Sequence, residues 1–265
     1  MAFDSDIFIL GGHGMLGSAF ARLCEKSRRS FKVIARDDYE SMRGRSCDIF
    51  VNANGNSRKP LASARPLEDF DASVRSVRAS LVDFRYRRYV HLSSCDVYPN
   101  CDSSETTREC QVLNPAQQSP YGFHKYLAEQ CVQHGAPEWL ILRFGGFIGP
   151  GLKKNAIYDI LRGGPLYLHP ASELQYLHTE SAAEIVFHLL ESGVRNEVFN
   201  VCGKGVVSLS EVAALAPTTI VAQPGSPLVR YEISLEKLSR YIELPETRPE
   251  VIAFVREQFG RITPW

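Results

Sequence analysis

A short apolar segment followed at once by the residues GGHGMLG restricts the fold of this chain more than any other feature. Ile7–Leu10 reads as a buried strand, and Met15–Lys26 carries apolar residues at helical spacing. Gly11, Gly14 and Gly17 fall between the strand and the first helical turns. In such a unit, backbone N–H groups and the helix N-terminus point at a phosphate, and glycine is needed where a Cβ would block that approach. The motif predicts a dinucleotide-binding turn, although an ordinary tight turn has the same pattern when it is considered alone.

The first half of the chain alternates between short apolar segments and longer segments with helical periodicity. The predicted strands are 7–10, 32–35, 48–53, 88–92 and 139–143, and the predicted helices are 15–26, 69–84 and 120–133. Alternation of this kind is typical of a parallel sheet with helices on its faces. We therefore predict an α/β fold, a Rossmann-like doubly wound parallel sheet.

The second half is more irregular, since glycine and proline become frequent after residue 145. We predict that residues 1–150 form an NAD(P)-binding Rossmann core. Residues 151–265 are predicted to form mostly a small, reduced C-terminal substrate lobe, with some segments returning to the core. One connection in the core is unusually short, because only twelve positions separate Arg36 from Asp48. That length fits a single compact connection and not a crossover helix with a further strand.

The composition excludes several classes of protein. The formal net charge of the 265 residues is zero, which gives no sign of a nucleic acid or an anionic membrane as a partner. The seven cysteines include no CxxC pair, so we predict no metal site and reduced thiols. No apolar stretch approaches the ~20 residues of a membrane helix and no signal peptide is visible, so we expect a cytoplasmic protein.

The residues at the end of the second predicted strand indicate which dinucleotide the protein would bind. Arg36 precedes Asp37 at this point. An acidic residue there can bind the ribose hydroxyls of NAD, whereas an arginine can pair with the 2′-phosphate of NADP. The order favours NADP, with NAD as the alternative, unless Arg36 only caps a surface turn.

Two later segments carry side chains suited to proton transfer. The segment HLSSCDVYP ends a buried strand, and SPYGFHK opens a helix on which Tyr121 and Lys125 share one face. An ammonium group beside a phenol is expected to lower the phenol pKa, and such a tyrosine can exchange a proton while a nicotinamide exchanges a hydride. A hydroxyl at the end of the neighbouring strand, where Ser93 and Ser94 stand, would hydrogen-bond the reacting oxygen. A YxxxK pair alone also occurs in ordinary amphipathic helices, but its position after the glycine loop favours a catalytic site.

These motifs together resemble the extended short-chain dehydrogenase/reductase family of NAD(P)-dependent sugar-nucleotide epimerases, dehydratases and reductases. The matching segments are GGHGMLG, VNANG, SSCDVY, SPYGFHK, LRFGGFIGPG and NVCGKGVVSLSEV, in family order. The resemblance implies a Rossmann domain with a small substrate domain. It also implies Tyr121 as acid/base, Lys125 on the nicotinamide ribose and Ser94 on the substrate oxygen. The residues predicted to bind the cofactor are Gly11, Gly14, Met15, Leu16, Gly17, Arg36, Asn54, Tyr121 and Lys125.

Within that family, GHGMLGSA and SSC..YP are most similar to the GDP-fucose synthases, which are NADPH-dependent epimerase-reductases. Aligned on Tyr98, the catalytic cysteine of that group falls at Asp96, where the dehydratases have a catalytic glutamate. Asp96 is therefore a candidate second acid/base, and its alternative is a strand-end residue that caps the next turn. Cys95 as a reactive thiol is a weaker candidate, because buried cysteines are commonly inert.

The resemblance places substrate contacts in the second half of the chain. Asn155, Gln175 and His178 stand where the family binds nucleotide or sugar, and Ser94 completes the predicted substrate-binding set. Each of the three could instead make a structural hydrogen bond. Asn54 and Ser57 follow a strand end and are expected near the cofactor cleft.

Three functions remain open from the sequence. The first is an NAD(P)-dependent oxidoreductase that reduces or epimerises a nucleotide-linked sugar. The second is an enzyme of the same family acting on another alcohol or ketone, and the third is a non-enzymatic NADP-binding regulatory protein. A homodimer is possible through the helices predicted at 69–84 and 120–133, because the family pairs through two long helices.

Overall fold

The fold was analysed in a computed structural model, which describes residues 3–261. In chain order the strands are β1 (Ser5–Leu10), β2 (Phe31–Ile34), β3 (Ser46–Asn52), β4 (Arg85–Ser94), β5 (Glu138–Phe144), β6 (Gly146–Ile148), β7 (Glu173–Leu174), β8 (Tyr176–His178), β9 (Glu197–Val201), β10 (Val207–Ser208) and β11 (Arg230–Tyr231). Six of them form one parallel sheet in the order β2-β1-β3-β4-β5-β9. The predicted α/β fold with a Rossmann-like parallel sheet is confirmed.

Helices cover both faces of this sheet. They are α1 (Met15–Lys26), α2 (Tyr39–Met42), α3 (Lys59–Ala64), α4 (Pro66–Phe70), α5 (Ser76–Asp83), α6 (Pro120–Gly135), α7 (Ala156–Leu161), α8 (Thr179–Glu191), α9 (Leu209–Ala213) and α10 (Thr247–Arg261), with a π-helical turn at Asp71–Arg75 between α4 and α5. The bounds of α1 agree with the prediction. The predicted helix 69–84 is instead a longer helical region, 66–83, that includes the π-helical turn.

Alternate residues of β1 show how the two layers are packed. Phe8 and Leu10 pack in the core on the side of α5 and α6, whereas Ile7 and Ile9 pack in the core on the side of α1 and α8. Successive side chains of a strand point to opposite faces, so a strand that is apolar at every position is covered on both faces. This explains why the predicted strands are continuous apolar runs.

The connection between β2 and β3 contains α2, which is a single helical turn of four residues. The prediction of one compact connection is confirmed. As a result, β2 lies at the edge of the main sheet. The side of the cleft next to β2 is therefore more open than a sheet with a further strand would leave it.

The region after residue 145 contributes both to the main sheet and to a separate small layer. β9 pairs with β5 at the far edge of the main sheet, while β6 and β8 form a two-stranded sheet and β10, β7 and β11 a three-stranded one. A third apolar cluster, which includes Ile148, Ile157, Tyr176 and Phe254, joins these small sheets to α7 and α10.

Within residues 3–261, no helix is long and apolar enough to cross a membrane.

Candidate active site

The glycine loop has close backbone contacts that a side chain would prevent. Gly11 has φ of +78°, and a Cβ placed there would be 3.0 Å from the carbonyl of Ala53. A Cβ at Gly17 would be only 2.4 Å from the carbonyl oxygen of Gly11, so α1 could not begin so close to the loop. Gly14 is the N-cap residue of α1 and offers no side chain to its first N–H groups. The first turn of α1, which contains Met15 and Leu16, thus keeps donors for an anion.

A cleft of 720 Å³ opens at the carboxyl ends of β1, β2 and β3. It is lined by the glycine loop, by Arg36 at the end of β2 and by Asn54 after β3. Asn54 donates its backbone N–H to the side-chain oxygen of Asn52 over 2.9 Å, which fixes the turn that leaves the strand. The size, the glycine backbone and the position at the strand ends fit a dinucleotide.

The cleft is lined by cations that the motif analysis did not identify. Besides Arg36, it is lined by Arg58 and Arg75, together with the carboxylates of Glu68 and Asp71. Arg58 and Arg75 are distant in sequence from the glycine loop, so spacing alone gives no signal for them. Arg75 pairs with Asp71 over 3.6 Å, so part of this positive charge is neutralised within the cleft lining.

Tyr121, Lys125 and Ser94 are brought together at the end of β4. Ser119 caps α6 by accepting the backbone N–H of Gly122 over 3.1 Å, and Pro120 stands in the first turn. A Cβ at Gly122 would be 2.0 Å from the backbone oxygen of Asp96, so glycine is what lets α6 begin directly against the end of β4.

The two serines at the end of β4 point in different directions. The hydroxyl of Ser93 is buried and donates to Glu129 over 2.6 Å in the core. The hydroxyl of Ser94 donates to Asp96 over 2.9 Å and lies beside Tyr121. Of the two serines, Ser94 is the one beside Tyr121, and its contact with a substrate stays a prediction.

The electrostatics of the tyrosine differ from the expectation. Burial raises the pKa of Tyr121 above its usual value, and the charges of Asp96 and Asp69 raise it further, while a hydrogen bond with Ser94 lowers it. Lys125 lies with Nζ 5.6 Å from the centre of the Tyr121 ring. The expected lowering of the phenol pKa is not met in this structure, because loss of solvation and the two aspartate charges raise it. Burial thus keeps the phenol protonated in the cofactor-free protein and makes it a weaker acid than a free tyrosine.

Burial lowers the pKa of Lys125 to about 8, and the charge of Asp69 is the largest influence opposing that change. A Cβ at Gly55 would be 3.2 Å from Nζ of Lys125, so the ammonium lies against the loop that follows β3. The lysine thus lies between the tyrosine and the cofactor cleft.

Asp96 is held by a cation that sequence reasoning missed. Nζ of Lys59, in α3, lies 2.7 Å from Oδ1 of Asp96, while Oδ2 accepts the hydroxyl of Ser94. The side chain of Asp96 is 18% exposed and that of Lys59 is 60% exposed. Asp96 therefore connects the Ser94–Tyr121 pair to solvent at the mouth of the site.

Cys95 does not fit a reactive role. It is fully buried, its thiol donates to the backbone oxygen of Arg143, and burial raises its pKa well above the usual range. A thiol nucleophile requires the thiolate, which this environment disfavours. Across the described part of the chain, no group of three or more His, Cys, Asp or Glu side chains is arranged to hold a metal ion.

The three predicted substrate residues lie in the small layer and make structural hydrogen bonds. The amide of Asn155 caps α7 and donates to the backbone of Phe147, and the buried amide of Gln175 accepts the backbone N–H of Ile233. The ring of His178 accepts the backbone N–H of Glu180 at the start of α8. Their contact with a substrate stays a prediction.

The parallel sheet and the glycine-lined cleft at its strand ends define a dinucleotide-binding protein of the Rossmann class. The chain belongs to the NAD-dependent epimerase/dehydratase family, whose model matches residues 7–202. A comparison with curated proteins finds no match.

Solved structures share the fold at low sequence identity. UDP-galactose 4-epimerase superposes with a TM-score of 0.79 at 18% identity, covering 97% of this chain and 100% of that one. MoeE5 in complex with UDP-glucose and NAD gives 0.78 at 17% identity, with 97% and 99% covered. RMD from Pseudomonas aeruginosa complexed with NADPH gives 0.78 at 18% identity, with the same coverage.

Proposed function

We propose that this protein is an NAD(P)-dependent oxidoreductase that reduces or epimerises a nucleotide-linked sugar, with Tyr121 as the acid/base. The observation that carries the proposal is the placement of the buried Tyr121 phenol, beside Ser94 and Lys125, next to a glycine-lined dinucleotide cleft. Family membership supports the reaction class.

Each side chain has a distinct proposed role. When bound, the nicotinamide supplies or accepts the hydride. Tyr121, kept protonated by burial, gives its proton to the substrate oxygen or takes it back in the reverse direction. Ser94 orients that oxygen, and Lys125 binds the cofactor ribose and holds positive charge near the phenol.

We propose NADP(H) as the preferred cofactor, with NAD(H) as the alternative. The support is Arg36, which lines the cleft at the end of β2, where a 2′-phosphate would lie. A guanidinium group binds phosphate with charge-assisted hydrogen bonds. The similarity of the glycine and SSC..YP segments to the GDP-fucose synthases supports the same choice.

The proposed substrate class is supported by two solved structures that share the fold. UDP-galactose 4-epimerase and MoeE5, which was solved with UDP-glucose, share the architecture over nearly the whole chain. Asn155, Gln175 and His178 are the proposed contacts on the substrate side.

We further propose that the chain pairs as a homodimer through the helical region 66–83 and α6, since Leu67 on α4 and Val82 on α5 are 80% and 67% exposed.

A ligand screen tests the substrate class. With NADPH saturating, we expect at least one nucleoside diphosphate sugar to raise the unfolding temperature and a keto-sugar nucleotide to be turned over. A ligand at a hundredfold excess over its Kd stabilises the folded state by about 2.7 kcal/mol, which a thermal-shift assay detects. The matched controls are the same sugars without the nucleotide. If none of the nucleotide sugars raised the unfolding temperature but a simple ketone were turned over, the protein would be the non-sugar enzyme. Cofactor binding without turnover of any substrate would indicate a regulatory protein.

We propose Asp96 as a second acid/base, which matters only if the reaction moves a proton at carbon as well as at oxygen. We expect Asp96→Asn to slow exchange of substrate protons with deuterated solvent by about 10²–10⁴-fold, because an amide cannot accept the proton. The measurement is NMR of the sugar nucleotide selected by the screen. Asp102→Asn, an exposed aspartate near the same loop, serves as control. Exchange at the wild-type rate would show that Asp96 only holds Lys59 and the turn.

A further inference from the structure

The carboxylate of Asp69 is fully buried beside the proposed catalytic helix. Its Oδ2 lies 2.6 Å from Nδ1 of His124, and its Oδ1 accepts hydrogen bonds from Nδ2 of Asn56 over 2.6 Å and from the hydroxyl of Ser73 over 3.3 Å. Burying a carboxylate is costly unless it is hydrogen-bonded and paired. The fold therefore retains a costly buried aspartate and supplies it with three hydrogen-bonding partners.

The contacts of Asp69 join three elements that meet around Lys125. Asp69 belongs to α4, His124 directly precedes Lys125 in α6, and Asn56 lies in the loop after β3. Asn56 also fixes that loop locally, since its side-chain oxygen accepts the backbone N–H of Arg58 over 2.7 Å. The same loop contains Gly55, against which the Lys125 ammonium lies. The buried carboxylate thus fixes the lysine relative to the loop that lines the cofactor cleft.

Asp69 is also the carboxylate with the strongest electrostatic effect on Lys125. Other charged groups act on the lysine as well: Asp96, Glu129 and Lys154. Both of the other carboxylates have a close cation of their own, since Asp96 pairs with Lys59 and Glu129 pairs with Arg143, each over 2.7 Å.

Asp69 differs from them in its partners. Among the residues that the structure describes, its ion-pair partner is His124 and not a lysine or arginine. His91 is also close to Lys125, but burial lowers its pKa to about 3 and leaves it uncharged at neutral pH. Asp69 is thus a fully buried carboxylate whose close partners are a histidine, an amide and a hydroxyl.

We propose that Asp69 and His124 are positioning residues, in which the buried Asp69 carboxylate keeps Lys125 protonated while His124 and Asn56 hold that carboxylate between α6 and the cofactor loop. The inference rests on the proposed function, since the protonation of Lys125 matters to catalysis only if the lysine serves Tyr121 and the cofactor ribose. Removing the negative charge would make the buried ammonium less stable. Lys125 would then lose its proton at a lower pH.

The test measures the titration of Lys125 directly in the cofactor-free protein. NMR of ¹⁵N-labelled lysine follows its side chain, with the resonance assigned by its loss in Lys125→Arg. We expect Asp69→Asn to lower the midpoint by about one pH unit or more, the usual effect of a close charge. The alkaline fall of kcat should move by the same amount. A general loss of packing would admit water to Lys125 and move the midpoint upward instead, because burial is what lowers it.

Two control variants separate charge from hydrogen bonding. His124→Gln keeps the Asp69 charge and a hydrogen-bonding side chain, so we expect kcat to fall with the midpoint unmoved. Asp102→Asn removes an exposed charge and should change neither quantity. The double variant Asp69→Asn/His124→Gln retains an amide–amide hydrogen bond and should titrate like Asp69→Asn, which gives a second reading if the single variant is unstable.

The outcomes distinguish this inference from the proposed function. An unmoved Lys125 midpoint in Asp69→Asn, or an equal shift in His124→Gln, overturns the role of the carboxylate even if the enzyme is active. If Asp69→Asn shifts the Lys125 midpoint but the unmodified protein turns over no substrate, the electrostatic role is supported and the oxidoreductase function is contradicted.

Discussion

Replacing Tyr121 by phenylalanine is expected to lower kcat by about 10²–10⁴-fold, the range that a positioned acid/base contributes. The substitution removes one oxygen atom from a side chain that is only 8% exposed and leaves its ring in place. Affinity for the cofactor should change little, because the proposed cofactor contacts of the glycine loop and Arg36 do not involve the Tyr121 hydroxyl. Turnover assays with the substrate found in the screen, together with NADPH titration by fluorescence, measure the two effects separately.

Tyr126→Phe provides a matched control for this variant. Tyr126 lies on the same helix and is half-buried, so its loss of a hydroxyl tests the same chemical change away from Ser94. We expect it to retain activity close to that of the unmodified protein. If Tyr121→Phe turned over substrate at the full rate, the proton would have to come from another group, and the proposed mechanism would fail.

Arg36→Ala is expected to reduce the preference for NADPH over NADH by about ten- to a hundredfold. A hydrogen bond to a charged group contributes about 1.5–3 kcal/mol, and each 1.4 kcal/mol is a factor of ten in affinity. The loss should fall on NADPH alone, because NADH has no 2′-phosphate. Dissociation constants for both nucleotides, measured at one fixed salt concentration, give the ratio.

Arg85→Ala removes another exposed positive charge at the amino end of β4, the opposite end of the sheet from the cleft. It controls for the general effect of net charge on nucleotide binding. A ratio that Arg36→Ala leaves unchanged would mean that Arg36 only covers a surface turn, and the cofactor assignment would return to NAD.

The parts of the fold that the sequence predicted are those encoded by local pattern. β1, the glycine loop and α1 follow one another within 22 residues, and each is specified by apolar spacing or by a glycine that no other residue could replace. The compact link through α2 followed from counting residues between Arg36 and Asp48. Tyr121 and Lys125 were predicted because they share one helical face after the glycine loop, and the choice of Ser94 came from the family resemblance.

The parts that were missed depend on contacts between distant segments. Asp69 and His124 are 55 positions apart, and Lys59 and Asp96 are 37 apart. Periodicity would place Asp69 on a solvated helix face, and it contains no sign that Asp69 is buried. The pKa of Tyr121 was expected to fall because the sequence shows the lysine one turn away, but it does not show how much solvent the fold removes.

The sequence by itself determined the strand–glycine–helix unit, the alternation of strands and helices and the candidate residues for proton transfer. Those features depend on steric limits and hydrophobic periodicity, which act over a few residues at a time. Only the tertiary structure decided the protonation of the site. Burial and the fixed charges of Asp69 and Asp96 arise from the packing of α4, α6 and β4 against one another, and their energies depend on distance and solvent access rather than on spacing along the chain.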